Sequence, residues 1–119
     1  MAVPKPPTEL KTSGKRLWRA ILGEYELEAH ESGLLLEMCR TADQLDALAA
    51  LVDRDGVTII DDKGNVRAHP ALVESRQQKI AYARLTAALR LPAGEEGDLR
   101  RPQRRVGARG VYGITGAVA

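Results

Sequence analysis

Residues 31–54 read ESGLLLEMCRTADQLDALAALVDR. Leu35, Met38, Ala42, Leu45, Ala49 and Val52 recur at alternating spacings of three and four, and Leu34, Thr41 and Leu48 make a row beside them. At 3.6 residues per turn, those spacings place both rows on one side of a helix. The stretch therefore predicts a long helix carrying a broad apolar stripe over about six turns. Glu28 and Glu31 stand where the helix dipole favours acids. Asp55-Gly56 closes the pattern, since glycine tolerates the left-handed backbone that ends many helices. Cys39 lies within the Leu-rich face and is the only cysteine, which excludes an intramolecular disulfide. A free cysteine in such a face behaves as a small buried hydrophobe.

Beyond the long helix the chemistry changes. Val57-Thr58-Ile59-Ile60 is β-branched, Asp61-Asp62-Lys63-Gly64-Asn65 is turn chemistry, and Val66-Arg67 returns as a second strand. A hairpin this short is marginal alone and must pack on helices or on a neighbouring subunit. Pro70 suits the first position of a further helix, with His69 at its start. On that helix Val73, Ile80, Ala87 and Leu91 fall on one line, while Tyr82, Leu85 and Leu89 fall opposite. Apolar residues on two sides predict burial on two sides, one of them a subunit interface. Pro92 ends the helix.

On the other flank, Ser13 is the expected N-cap of a short basic helix over residues 15–22, stopped by Gly23. Leu17, Ile21 and Leu22 form its apolar edge, with Trp18 beside them and Lys15, Arg16 and Arg19 pointing elsewhere. Residues 1–13 hold Pro4, Pro6 and Pro7 among lysines and read as a flexible basic arm. Residues 14–92 form the expected helical oligomerisation core, with the hairpin at 57–67. Residues 93–119 form an Arg/Gly-rich flexible tail that is not expected to fold alone. The fold class that results is mainly α: a short basic helix, a long central helix, a small hairpin, a second long helix and disordered tails.

The composition of this 119-residue chain sharpens that picture. It has no Phe, one Trp and three Tyr. Leu, Ala, Val and Ile must build the core, and a thin helical chain of this kind gains stability readily by oligomerising. The net charge is only +2, yet the charges are segregated. Residues 1–22 hold five Lys/Arg and one Glu; residues 23–62 hold eleven Asp/Glu and two Arg. Residues 63–92 hold six Lys/Arg and one Glu; residues 93–119 hold five Arg and three acids. Opposed basic and acidic faces steer nucleic acid or pair head to tail between subunits. No leader pattern opens the chain, and no apolar run approaches the ~20 residues of a membrane span. The expected location is cytoplasmic, with no membrane contact.

Catalytic material is scarce. His30 and His69, the only histidines, lie on different elements, and one cysteine makes no Cys/His metal spacing. Asp61 and Asp62 read as a solvated turn pair. The Gly-rich end (residues 107–113) lacks Gly-Lys-Ser/Thr and a strand-to-helix setting, so it is not a phosphate loop. The chain reads as non-enzymatic, with no metal and no cofactor. The basic segments carry more. Lys11, Lys15, Arg16 and Arg19, and the tail residues Arg100, Arg101, Arg104, Arg105 and Arg109, are the candidate phosphate contacts. Leu45, Leu48, Val73, Ile80, Leu85 and Leu89 are the candidate oligomer interface.

Several pieces in this order resemble the bacteriophage terminase small subunit family. They are Gly14-Lys15-Arg16-Leu17-Trp18, Tyr25-Glu26-Leu27, Leu35-Leu36-Glu37-Met38-Cys39, Asp43-Gln44-Leu45-Asp46, Gly64-Asn65-Val66, His69-Pro70-Ala71-Leu72-Val73-Glu74 and Leu89-Arg90-Leu91-Pro92. Together they run from residue 14 to residue 92, about two-thirds of the chain. The resemblance implies a mostly helical subunit that assembles into a ring in the infected bacterial host. It implies recognition of double-stranded viral DNA for packaging, and regulation of a large terminase subunit that holds the ATPase and nuclease. The Arg/Gly ending matches no motif of the family. Two other readings remain beside it: a helix-turn-helix regulator, and a ring-forming protein adaptor that does not touch DNA. Against the regulator, the link between the short and long helices is acidic and offers no evident recognition helix.

Overall fold

The computed structural model describes residues 3–91 and 104–105. Its elements are helix α1 (Thr12–Leu22), strand β1 (Tyr25–Glu26), helix α2 (Ala29–Asp55), strands β2 (Thr58–Ile60) and β3 (Val66–Ala68), helix α3 (Pro70–Leu89) and strand β4 (Arg104–Arg105). The chain is mainly helical, as the apolar periodicity requires.

The start of α2 is more specific than a dipole effect. The Glu28 side chain accepts from the backbone of Glu31, and the Glu31 side chain accepts from the Glu28 N–H at 2.7 Å. This reciprocal pair is a capping box built from two glutamates. At the far end Gly56 adopts φ +87°, a conformation that a side chain would strain. The chain then turns directly into the hairpin, where Thr58 pairs with Ala68, Ile59 with Arg67 and Ile60 with Val66. Asp61 organises the turn. Its carboxylate accepts from the backbone N–H of Lys63 and Asn65, each at 2.9 Å, and from Arg67 Nε at 2.6 Å. Those bonds, that of Arg67 foremost, hold its carboxyl below the usual range.

His69 joins the two long helices. Its Nδ1 accepts the Ala71 N–H at 2.9 Å and so caps α3. With Nδ1 accepting, the ring proton sits on Nε2 and is donated to Asp55 Oδ2 at 2.8 Å. Asp55 also receives both Arg54 contacts, which with His69 hold its carboxyl well below the ordinary carboxylate range. α3 runs back along α2: His69 meets Asp55 at one end, and Tyr82 lies close enough to feel Cys39 further along. The pair is an antiparallel helical hairpin whose tip is the β-hairpin.

The core sits at the opposite end from that tip. Leu10, Trp18, Leu22, Leu35 and Cys39 form its buried centre, and Leu17, Ile21, Leu27 and Leu36 pack around it. Met38 and Leu89 are buried as well. Cys39 is the small buried hydrophobe its position suggested, and burial pushes its thiol up to about 11.

Three expectations need correction. Leu89 is 0 % exposed within one chain and cannot serve a subunit interface; it is the residue by which the end of α3 closes the core. Residues 4–11 are not a free arm. Leu10 is in the core, Trp18 Nε1 donates to the Pro4 carbonyl at 2.9 Å, and Glu9 binds Arg40 at 2.8 Å. Finally, α1 starts at Thr12, with Ser13 inside the helix rather than capping it. The cap comes from Asp43 of α2.

Candidate nucleic-acid interface

α1 is held by acids of α2. Asp43 Oδ2 accepts the Lys11 N–H and Asp43 Oδ1 accepts the Gly14 N–H, both at 2.7 Å. Ser13 Oγ donates to Asp46. One carboxylate thus satisfies two of the orphan donors at a helix start, where the dipole also favours negative charge. The approach is close because residue 14 is glycine. A Cβ there would lie 2.4 Å from Asp43 Oδ2 and 2.9 Å from the Cys39 carbonyl. The sequence alone gave no sign of this, since Asp43 lies 29 residues from Gly14.

With Gly14, Trp18 and Leu22 turned into the molecule, the remaining side of α1 faces solvent. Arg16 and Arg19 are exposed there and Lys15 is half-buried; Lys11 is exposed just before the helix. Among the described residues, none of these four side chains pairs with a carboxylate, whereas Arg40, Arg54 and Arg67 each do. The contrast matters for binding. A cation already paired must break that pair to meet a phosphate, and an unpaired one need only shed water and counterions. Lys11, Lys15, Arg16 and Arg19 therefore form, among the described residues, one basic surface without carboxylate partners.

The tail candidates divide. Arg100, Arg101 and Arg109 lie outside the described residues. Arg104 and Arg105 form β4, which pairs antiparallel with β1: Arg105 opposite Tyr25 and Arg104 opposite Glu26. Both strands went unread in the sequence, because two-residue strands carry no periodic signal. β1 follows α1 directly, so this part of the tail returns to the same end of the molecule as the basic helix.

The interface candidates divide too. Val73 and Ile80 are 48 % and 44 % exposed, on the side of α3 away from α2. Leu45, Leu48 and Leu85 are half-buried between the two long helices. Leu51, Val57, Ile60 and Val66 are exposed apolar residues that the interface reading had passed over. Their common signal is position: all lie at or near the tip of the helical hairpin.

Among the described residues no group of three or more His, Cys, Asp or Glu is placed to hold a metal ion. None of the described helices is long and apolar enough to cross a membrane. Comparison with known proteins finds no matching family model, no matching curated protein and no matching solved structure.

Proposed function

We propose that this chain is a small subunit of a phage terminase. It recognises double-stranded viral DNA for packaging in the bacterial host cytoplasm and regulates a large subunit that carries the ATPase and nuclease. The chain itself catalyses nothing and needs no cofactor. The observation that carries the reading is the basic surface of α1, where Lys11, Lys15, Arg16 and Arg19 are left without carboxylate partners among the described residues. The motif resemblance supplies the biological setting. The exposed Val73 and Ile80 support assembly into a homo-oligomeric ring, which repeats the basic surface around an axis and turns modest affinity into avidity.

Duplex DNA titrated at several salt concentrations tests this. Affinity should fall linearly on a log–log salt plot, by about 0.9 per phosphate neutralised. Lys15→Ala/Arg16→Ala/Arg19→Ala should flatten that slope. Addition of the cognate large subunit with DNA should change that subunit's ATPase rate. Salt-independent binding, or none, removes the DNA reading and leaves the protein adaptor.

A further inference from the structure

We propose that the outward side of α3 docks on the outward side of α2 in a second copy of this chain, so that copies join head to tail. Val73 and Ile80 are 48 % and 44 % exposed. They stand two helical turns apart and so share one side of α3. Arg76 and Arg84 lie on that side and Lys79 lies at its edge, all three exposed. Among the described residues none of the three pairs with a carboxylate. Glu74, the one acid of α3, is bonded to Gln78 at 3.0 Å. The surface is thus apolar along its middle and positive around it, and the occupant that fits is apolar and acidic.

The chain itself carries such a surface. On the side of α2 turned from α3, Ala47, Ala50 and Leu51 are exposed, with Asp46 and Asp53 exposed beside them. Asp53 has no cationic partner among the described residues, and Asp46 binds only Ser13, through one carboxylate oxygen. Arg54 stands at the tip end of this side, but Asp55 meets its charge at 2.6 Å. The heights agree as well. Asp55 meets His69 at 2.8 Å, and α2 and α3 run antiparallel from that junction with the same rise per residue. Leu51 is therefore level with Val73, and Asp46 is level with Gln78, next to Lys79 and half a turn from Arg76.

A second copy set alongside at the same height brings Leu51 to Val73 and the acids of α2 to the cations of α3. A two-fold contact of α3 with α3 would instead set Arg76, Lys79 and Arg84 of one copy against the same cations of the other, which like charge disfavours. The docking is therefore heterologous. Each copy uses one side to hold a neighbour and keeps the other side for the next, which closes a ring when the rotation permits. The inference rests on the ring reading above, because it needs more than one copy; it needs nothing from the DNA reading.

The test uses two full-length variants, with light scattering for mass and circular dichroism to confirm that each is folded. One alters the α2 side, Ala50→Lys/Asp53→Lys, and leaves the bond of Asp46 to Ser13 untouched. The other alters the α3 side, Arg76→Glu/Lys79→Glu. All four positions are exposed. Each variant alone should fall to a mass near that of one chain at micromolar concentration. An equimolar mixture should regain the assembled mass, since the new lysines of one then meet the new glutamates of the other. If the α2 variant assembles normally while the α3 variant does not, the contact is α3 on α3 and the docking is overturned. Two variants that both assemble normally also overturn it, and leave the ring standing on some other surface. Loss in both without recovery on mixing overturns the pairing of these two sides. An α3 variant of unchanged mass whose DNA binding loses its salt dependence gives that side to DNA and overturns the docking. An unchanged chain that is monomeric removes the ring, and the docking with it, while DNA titration of that monomer still decides the DNA reading.

Discussion

The two ends of the helical hairpin obey different rules. At the α1 end, Leu35, Cys39 and Leu89 are 0 % exposed, and every element sends a side chain inward. At the tip, Ile60 and Val66 are 71 % and 69 % exposed, and along α3 beyond it Val73 and Ile80 remain about half open. Both sets are apolar, Leu and Cys at the base and Ile and Val at the tip. What differs is the number of layers: three elements and the residue 4–11 strap surround the base, while two helices and a hairpin make up the tip. The lesson is that an apolar residue here reports a fold contact at one end and a missing neighbour at the other.

The contrast breaks most directly by mutation. Leu35→Ala removes a wholly buried side chain from the base and should cost about 2–5 kcal/mol in urea unfolding. Ile60→Ala at the tip should cost a few tenths in the same assay, within the roughly ±0.5 kcal/mol of surface changes. Equal costs would mean that the tip is packed after all. Gly14→Ala comes next. Its new Cβ meets the Cys39 backbone carbonyl, which cannot swing aside, so α1 must shift; thermal melts should reveal a loss of about 1–3 kcal/mol. Asp43→Ala deletes the cross-chain cap and should cost about 0.5–2 kcal/mol, read by denaturant titration. The loss should fall mainly on α1, visible as faster amide exchange there than in α3.

Acid should act on the far end. Asp55 and Asp61 both have carboxyl groups held below the ordinary value, the first by Arg54 and then His69, the second by Arg67 first. A depressed folded value means stability that is present above the unfolded carboxylate pKa of about 3.9 and is lost as pH falls below it. The melting temperature should therefore drop less steeply from pH 5 downward in Asp55→Asn than in the unchanged chain, after normalising both at pH 7. Parallel curves would show that this junction contributes nothing to acid unfolding. Smallest in fold stability is Ile80→Asp, which should leave the helical signal of one chain intact yet reduce the assembled mass in light scattering. If the unchanged chain is already a monodisperse monomer at micromolar concentration, the exposed side of α3 has no partner copy and the ring is excluded.

The long helices and the hairpin were legible because they repeat. A stripe over residues 35–52, a proline at a helix start and a glycine at a helix end are local signals with local causes. Of the two apolar sides read on α3, the structure buries Leu89 and half-buries Tyr82 and Leu85, and leaves Val73 and Ile80 exposed on the other. What escaped was everything decided across the chain. Asp43 reads as one more acid in an acidic helix until α1 is laid against it. Pro4, Glu9 and Leu10 look like an unstructured arm because their partners, Trp18, Arg40 and the core, are up to 31 residues away. The basic surface was legible as composition; that, among the described residues, the α1 cations have no carboxylate partner while Arg40, Arg54 and Arg67 each have one was not.

Trp18 is the only tryptophan, it is 9 % exposed, and its indole N–H is bonded to the Pro4 carbonyl. The molecule therefore carries a single indole, selectively excitable at the red edge of protein absorption, fastened to the strap and lining a cleft with Glu26 and Glu28. Its emission should shift to the red when residues 4–10 lift away, even while both long helices stay folded. Fluorescence and circular dichroism recorded on the same sample would then give different midpoints, and the gap between them would measure how independently the strap opens.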